Sequence, residues 1–515
     1  MPDSEKHSFI VVADRLPVDR NDGTWEFSLG GLSSAVAPVV RDHRGAWIGW
    51  TGSHDGDGTP FDFDDMRLIP IPLSVDEHRR YHEGFCSATL WPLHHGLFVA
   101  PQIHRSWWRA YRDVNARFAQ AVVDAAAPDA TVWVHDYHLQ LVPEMIRAQR
   151  PDVRIGFFDY IPFPPVEQLA QLPWRDEILN GILGADVIGF QREDDAFNFR
   201  RGLHRLLGTD PEQMDKHIGS YPTSIDVDKI RTAAQSPSVQ AAARRIRKDL
   251  GDPDVLMLGV DRLDYSKGIL HRLLAFEELL NDGLVDPATT CLVQVAVPSR
   301  EGVPAYQELR DEVEHTVGRI NGRFSTLGRN VIDYSHRSYS TDIAVALHLA
   351  ADVLLVTSLR DGMNLVAKEF VTARRGRAGA LVLSEFAGAA DELAQAVIVN
   401  PYDRAGLKDA IRRAAEIAAE GNHTHIDAMA DIVAAHDARL GEDLPRRPAR
   451  RCRLGADEAR LVSTRSTSPH TYADPLDPRL QGAANVHTAQ QPGVLEVRPL
   501  PSRSARRRTP LQARA

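Results

Sequence analysis

The sequence predicts an α/β chain built from two doubly wound parallel sheets in series, followed by a tail without a core. Two observations lead to this. Short apolar runs alternate with segments of helical spacing, once before residue 220 and again after residue 255, which is the pattern of βαβ units. The stretch from Val353 to Phe370 then compresses the logic of such a fold into one motif. Val353–Val356 is an apolar run of strand length, Thr357 to Asn364 is polar around Gly362, and helical spacing resumes at Leu365. A strand, a polar loop and a helix start, in that order, make a ligand site in parallel sheets. Free amides and the positive end of the helix dipole favour a phosphate there. Glu369 faces the same way as Leu365, where a carboxylate suits ribose hydroxyls. Asp361 in the loop suits sugar hydroxyls. An ordinary turn with Asn364 as the helix cap fits the same residues.

The chain of 515 residues has room for two or more domains with cores of their own, and 43% hydrophobic with 25% charged residues is a globular profile. A net charge of −10 argues against a general nucleic-acid or membrane-surface binder. Cys86, Cys291 and Cys452 are scattered, without metal or redox spacing, and the N-terminal residues lack a signal-peptide core. A cytoplasmic protein with no membrane partner is the expectation.

In the first half, the strand at 9–13 ends in Asp14 and Arg15, and Arg15 is a candidate anion ligand. Gly30 and Gly31 let backbone approach a ligand closely, although most such pairs are plain turns. The run at 46–52 reads as a strand carrying Trp50, a sugar platform or a core residue. Residues 76–92 read as a helix and then extended chain into Trp91 and Pro92, with Tyr81, His82 and Trp91 as candidate acceptor contacts. The strand at 131–138 ends in His135, Asp136, Tyr137 and His138. No further ligand stands at a recognisable spacing, so no metal is expected, and Asp136 reads as a sugar-hydroxyl acceptor. Strands at 154–159 and 185–191 complete this series, and 220–228 reads as a boundary followed by a helix-prone connector over 229–250.

The second series opens with a strand at 255–260 and the loop DRLDYSKG at 261–268. Arg262 and Lys267 bring two cations to a strand's carboxyl end, which suits a diphosphate better than two solvated charges. Arg300 follows the strand at 291–297, and Tyr339 follows the one at 331–339. Strands at 380–384 and 396–400 close the series. Residues 438–515 contain basic runs and one aromatic residue, Tyr472, and read as a mostly disordered tail.

Taken in order, ADRLP, GGL, GW-x-G, LWP, HDYH, GFF-x-x-IPFP, DRLDYSKG, PSRE, INGRF and LRDGMNLVAKEF are specific as a set. Over roughly residues 8–436 the chain resembles the α,α-trehalose-phosphate synthases, retaining glycosyltransferases of GT-B architecture. The resemblance implies two Rossmann-like domains facing a cleft, 1–228 for the acceptor and 229–437 for the donor. It implies glucose transfer from a nucleotide donor, with UDP-glucose ahead of ADP- or GDP-glucose, to glucose 6-phosphate, yielding α,α-trehalose 6-phosphate. It implies no cofactor and no metal in catalysis, and leaves a homo-oligomer open.

By motif position, Arg262 and Lys267 hold the donor diphosphate, with Gly30 and Gly31 approaching from the other domain. Leu365, Val366 and Glu369 hold the nucleotide, and Tyr339 lies near the base. Asp361, Gly362, Met363 and Asn364 surround the donor glucose. Arg15, Trp50, Tyr81, His82, Trp91, Tyr160 and Arg300 line the acceptor side, and Asp136 contacts the sugars where they react. Retention then needs no protein nucleophile. The leaving phosphate oxygen takes the proton of the acceptor hydroxyl on the same face, and the protein positions the sugars and stabilises charge.

The chain departs from the family pattern at named positions. Tyr160 replaces a histidine near the donor glucose, His82 replaces the second tyrosine of a pair, and Cys86-Ser87 replaces Ser-Asn. Asp14 replaces an asparagine, which puts a carboxylate beside Arg15. The segment 206–220 is shorter than in many relatives, and AHDARLGEDLPRR replaces the usual closing helix, which weakens the expected clasp between domains. Two readings follow. One is an active synthase. The other is a nucleotide-sugar-binding relative with weak or no catalysis, in which Tyr160 crowds the sugar.

Overall fold

The computed structural model describes residues 6–436 apart from 22–23, 29–30, 55, 57 and 98, and apart from the side chains of 21 and 31–35. Gly30 and the tail from 438 lie outside the described residues.

Eight strands form the first sheet, in the order His217–Ser220, Val187–Phe190, Arg154–Asp159, Ala126–His135, His7–Arg15, Ala46–Trp50, Met66–Pro70, Phe61–Phe63. Every neighbouring pair is parallel except the last. Six parallel strands form the second, in the order Ile332–Ser335, Thr290–Val297, Val255–Arg262, Val353–Val356, Ala380–Ser384, Val397–Val399. In both sheets the earliest strand sits in the middle. The next two parallel strands are laid to one side of it and the later ones to the other. This is the doubly wound arrangement of a Rossmann-like sheet, and each sheet has one point where the winding reverses.

The apolar runs are continuous because helices cover both faces of each sheet. Alternate residues of one strand therefore enter different cores. Ile10 and Val12 join one cluster and Phe9, Val11 and Ala13 the other. In the second sheet, Leu354 and Val356 face one cluster while Val353 and Leu355 face the opposite one. Each such aliphatic side chain contributes about 1.5–3 kcal/mol over exposure.

The stretch at 76–92 differs from its sequence reading. The chain stays helical from Val75 through His95, passing Trp91 and Pro92 without extending. Between Arg79 and Leu90 the turns are wide, and the Trp91 amide donates to the Cys86 carbonyl five residues back. Pro92 is the second residue of the last segment, Trp91–His95, directly after the widened turns. A small antiparallel hairpin, Val18–Asn21 with Thr24–Phe27, was not signalled by periodicity. The connector forms two helices, Val227–Gln235 and Pro237–Asp249, that pack on helices of the second half. Among the described residues no helix is long and apolar enough to cross a membrane. Cys86 and Cys291 are free and buried.

Candidate active site

Ligands of doubly wound sheets bind at the carboxyl ends of the strands where the winding reverses. In the first sheet that point lies between His7–Arg15 and Ala126–His135, and the residues delivered there are Asp14, Arg15 and Asp136. In the second it lies between Val255–Arg262 and Val353–Val356, delivering Arg262, Lys267 and Asp361. The cations and carboxylates singled out in the sequence thus occupy the two switch points.

On the second sheet the loops after these strands interlock. Gly268, at φ +63°, lets the turn approach the Thr357 carbonyl so closely that a Cβ would strike it. The Lys267 Nζ donates to Asp361 Oδ2 at 2.6 Å, and the same oxygen accepts from Ser358 Oγ and Asn364 Nδ2, each at 3.1 Å. Burial pushes the Asp361 carboxyl up, but Lys267 and Asn364 outweigh it and hold it below the usual carboxylate range. Asn364 also caps the helix Leu365–Ala373 through its Oδ1 to the Ala367 amide, 3.1 Å. The cap and the ligand loop are one device rather than alternatives. Beneath it, buried Arg272 bonds Asp261 at 2.6 Å and Thr357 Oγ1 at 3.2 Å, fixing the two loops to each other.

Arg262 is exposed, 5.2 Å over the Trp91 ring, and no hydrogen bond or ion pair holds it among the described residues. Glu369 is half-buried, 3.7 Å from His348 Nε2. Tyr339 donates to or accepts from Ser335 Oγ at 2.9 Å and borders a cavity of about 240 Å³ with Val293, Val295 and Ile343. Leu365 and Val366 are partly buried against the same core. Met363 is almost fully buried. A Cβ on Gly362 would strike the Tyr160 carbonyl oxygen, so the glycine lets the two halves touch. Gly31 opens the helix Gly31–Asp42, and its partner Gly30 is outside the described residues.

On the first sheet Asp136 has a left-handed backbone, φ +75°, a strained conformation typical of functional positions. Burial raises its carboxyl, but the His138 ring and the Tyr137 amide lower it further, so it stays ionised. Its Oδ1 is buried without a partner. Arg15 is half-exposed, pairs with Asp19 at 2.8 Å and lies 5.5 Å over Trp50. Asp14 does not sit against Arg15, as sequence adjacency suggested. Along a strand successive side chains take opposite faces, and Asp14 turns to the Tyr81 hydroxyl at 2.9 Å and to His82 Nδ1 at 3.2 Å. Tyr81 is fully buried and supports this wall from behind. Trp50 is buried too, donating to the Ser53 carbonyl.

Tyr160 turns its hydroxyl toward the neighbouring strand of its own sheet. Its hydroxyl and His135 Nδ1 share a hydrogen bond at 3.0 Å and its ring lies against Phe158, holding the side chain to its own sheet. Arg300, read from sequence as an acceptor cation, spends its guanidinium on protein. It donates to Asp264 at 2.8 Å, Tyr306 and Tyr137 at 3.1 Å and Ser87 at 3.2 Å, with the Trp91 ring centre 3.7 Å away.

Several participants escaped the sequence reading. Asp264 belongs to the singled-out loop, yet nothing in the string marks it as the partner of Arg300. Lys368 is fully buried and ties Glu392 and the Thr223 carbonyl, both at 2.8 Å, to the boundary segment. Arg192 grips Asp391 with two bonds at 2.7 and 2.9 Å, again across the halves. His94 and His95 follow LWP one residue on, after Leu93, and the electrostatic reach of His95 includes Lys267 and Asp361.

Burial keeps His94, His95 and His135 neutral, lowering them to about 4, about 3 and about 3. Unfolded histidines titrate near 6.5. Below that pH the unfolded chain binds more protons than the native one, so stability falls on acidification from about 6.5. Burial lowers His78 and His271 as well, and the carboxyls it raises, Asp159, Asp195, Asp261 and Asp333, act in the opposite sense but number four against these five histidines. The melting temperature is therefore expected to drop between pH 7 and pH 5, with a shallower slope in His95→Gln. A flat profile over that interval would contradict neutral burial.

Two switch points meeting across a cleft, one bearing cations and the other a strained ionised carboxylate, define a GT-B glycosyltransferase. The chain belongs to glycosyltransferase family 20, which it matches over residues 7–440. It is 48% identical over 450 residues to the trehalose-6-phosphate synthase of Mycobacterium sp. (strain JLS), covering 83% of this chain and 93% of the relative. A Burkholderia xenovorans α,α-trehalose-phosphate synthase (UDP-forming), solved in complex with glucose-6-phosphate, superimposes with a TM-score of 0.77 at 33% identity, covering 84% of this chain and 98% of that one. An E. coli structure bound with UDP-2-fluoro glucose gives a TM-score of 0.78 at 32% identity, covering 86% and 100%.

Proposed function

We propose that the chain moves glucose with retention from a nucleotide donor, UDP-glucose ahead of ADP- and GDP-glucose, to glucose 6-phosphate, giving α,α-trehalose 6-phosphate. The observation that carries this is the pairing of the exposed Arg262 and the Lys267–Asp361 unit on one switch point with Asp136 on the other. The acceptor half runs to about residue 228 and the donor half to about 437.

Arg262 and Lys267 hold the diphosphate and take up the charge that grows on it as the glycosyl bond breaks. The helix start at Leu365 adds its amides and dipole. Val366 and Glu369 hold the nucleoside, with Tyr339 by the base. Asp361, Gly362, Met363 and Asn364 frame the donor glucose, and Gly30 and Gly31 approach the diphosphate from the other half. Asp136 orients the sugars through its unpartnered oxygen. Arg15, Trp50, His82, Trp91 and Arg300 shape the acceptor end, with Tyr81 and Tyr160 held behind it. The departing phosphate oxygen collects the acceptor proton on the face it leaves, so no side chain is required as nucleophile. The weak-catalysis reading loses its main support once Tyr160 is tied to His135.

The direct test is a coupled assay of UDP-, ADP- and GDP-glucose with glucose 6-phosphate, with the product's anomeric configuration read by NMR. Arg262→Ala is expected to weaken UDP binding by about 10–100-fold, the equivalent of about 1.5–3 kcal/mol for a charge-assisted bond. Wild-type UDP affinity in calorimetry would remove Arg262 from the diphosphate site.

A further inference from the structure

Asp14, His82 and His138 come from three distant parts of the chain and meet in one place. Asp14 ends the first strand's apolar run, His82 lies on the wide-turned helix, and His138 sits in the short turn Tyr137–Leu139. One ligand-type atom from each lies within 4.8 Å of the others. Asp14 Oδ2 and His82 Nδ1 are already 3.2 Å apart. The three side chains are only 10%, 23% and 11% exposed. The Nδ1 atoms of both histidines are buried, and each faces a carboxylate oxygen, His82 that of Asp14 at 3.2 Å and His138 that of Asp136 at 3.4 Å.

We infer that Asp14, His82 and His138 form a binding site for a divalent transition-metal cation of the zinc class. Two imidazole nitrogens and one carboxylate oxygen are a ligand set of that class, and three protein ligands leave a position open. Tetrahedral zinc with bonds of about 2.0–2.1 Å places its ligands about 3.4 Å apart. The Asp14–His82 separation meets this, and the widest separation has to close by about 1.4 Å. The rings of His82 and His138 lie stacked, 5.3 Å apart and 14° from parallel. Ligation turns one of them out of the stack about χ2, which is a soft torsion for histidine. With His138 ligating through Nε2, Asp136 Oδ2, 3.4 Å from its Nδ1, is placed to orient that ring from the outer shell. Two of the three ligands, Asp14 and His82, are positions where this chain departs from the pattern it otherwise resembles. The site does not depend on the transferase reading.

The test is binding of Zn²⁺ alone to the full chain, followed by competition with a chromophoric chelator and compared with Asp14→Asn and His82→Gln. About one equivalent is expected to bind at least tenfold more weakly in either variant, with far-ultraviolet dichroism unchanged. Equal binding in wild type and both variants would overturn the site. Should a variant fail to fold, Co²⁺ added to the wild-type chain gives a second reading. Intense visible bands of a four- or five-coordinate ion support the site, and only the weak bands of a six-coordinate surface ion sink it.

Discussion

Lys267→Ala is expected to lower kcat/KM for glucosyl transfer by about 10²–10³-fold, the usual loss when one preorganised charge stabiliser is removed. Its ammonium is the buried member of the donor-side cations, 2.6 Å from Asp361, with side chains only 11% and 13% exposed. Breaking a buried pair from one side costs about 3–5 kcal/mol, because the remaining charge stays desolvated. Asp361 keeps Ser358 and Asn364 as donors, so the lower end of that range is expected. The pH dependence follows from the depressed Asp361 carboxyl. Its contribution is present above the unfolded value near 3.9 and is lost as pH falls through the lower native value. The gap in melting temperature between wild type and Lys267→Ala should therefore narrow below about pH 4. Lys267→Ala/Asp361→Ala should be more stable than Lys267→Ala alone, since it buries no lone charge. Wild-type kcat/KM in Lys267→Ala would remove the lysine from the reaction.

The sheets were legible because their signal is local. A run such as Val353–Val356 is buried on both faces, so its whole length must be apolar, and a run of that kind shows in the string. The donor loops were legible for a related reason. Arg262, Lys267 and Asp361 all fall at the ends of such runs, where the fold delivers ligand residues. What stayed hidden depends on partners far away in sequence. By length alone Tyr160 reaches the sugar, but its hydroxyl is hydrogen-bonded to His135 on the neighbouring strand. Asp14 seemed a neighbour of Arg15, but the alternation of the strand sends the two to opposite sides. Arg300 reads as an acceptor cation because its four protein partners, 36, 6, 163 and 213 positions away, leave no mark beside it in the string. The helix through Pro92 was missed because the wide turns before it have no periodic signature.

Arg300→Ala should open the cleft as well as weaken the acceptor site. Tyr137, Ser87 and Trp91 belong to the first half, Asp264 and Tyr306 to the second, and Arg300 binds all five. Asp264 is fully buried, and burial pushes its carboxyl up while Arg300 and Arg262 pull it down to about 2. Without Arg300 its neighbours are the Tyr306 hydroxyl at 3.0 Å and the Ser266 amide at 2.9 Å, and the charge has lost its strongest partner. A cost of about 3–5 kcal/mol is expected from the stranded carboxylate, with about 0.5–2 kcal/mol more from the lost contact with Trp91. Lysine does not restore it, since a single ammonium cannot reach both halves as a planar fork does. Arg300→Lys should therefore resemble Arg300→Ala in melting temperature, and Asp264→Asn combined with Arg300→Ala should recover part of the loss. A phosphate ligand with no structural duty behaves differently: the KM for glucose 6-phosphate rises while the melting temperature and the radius of gyration of the free protein stay put. The network predicts that all three change, with the radius of gyration of the ligand-free variant increasing as the halves part. A raised KM alone, in a variant that melts with wild type, would falsify the clasp and return Arg300 to the acceptor phosphate.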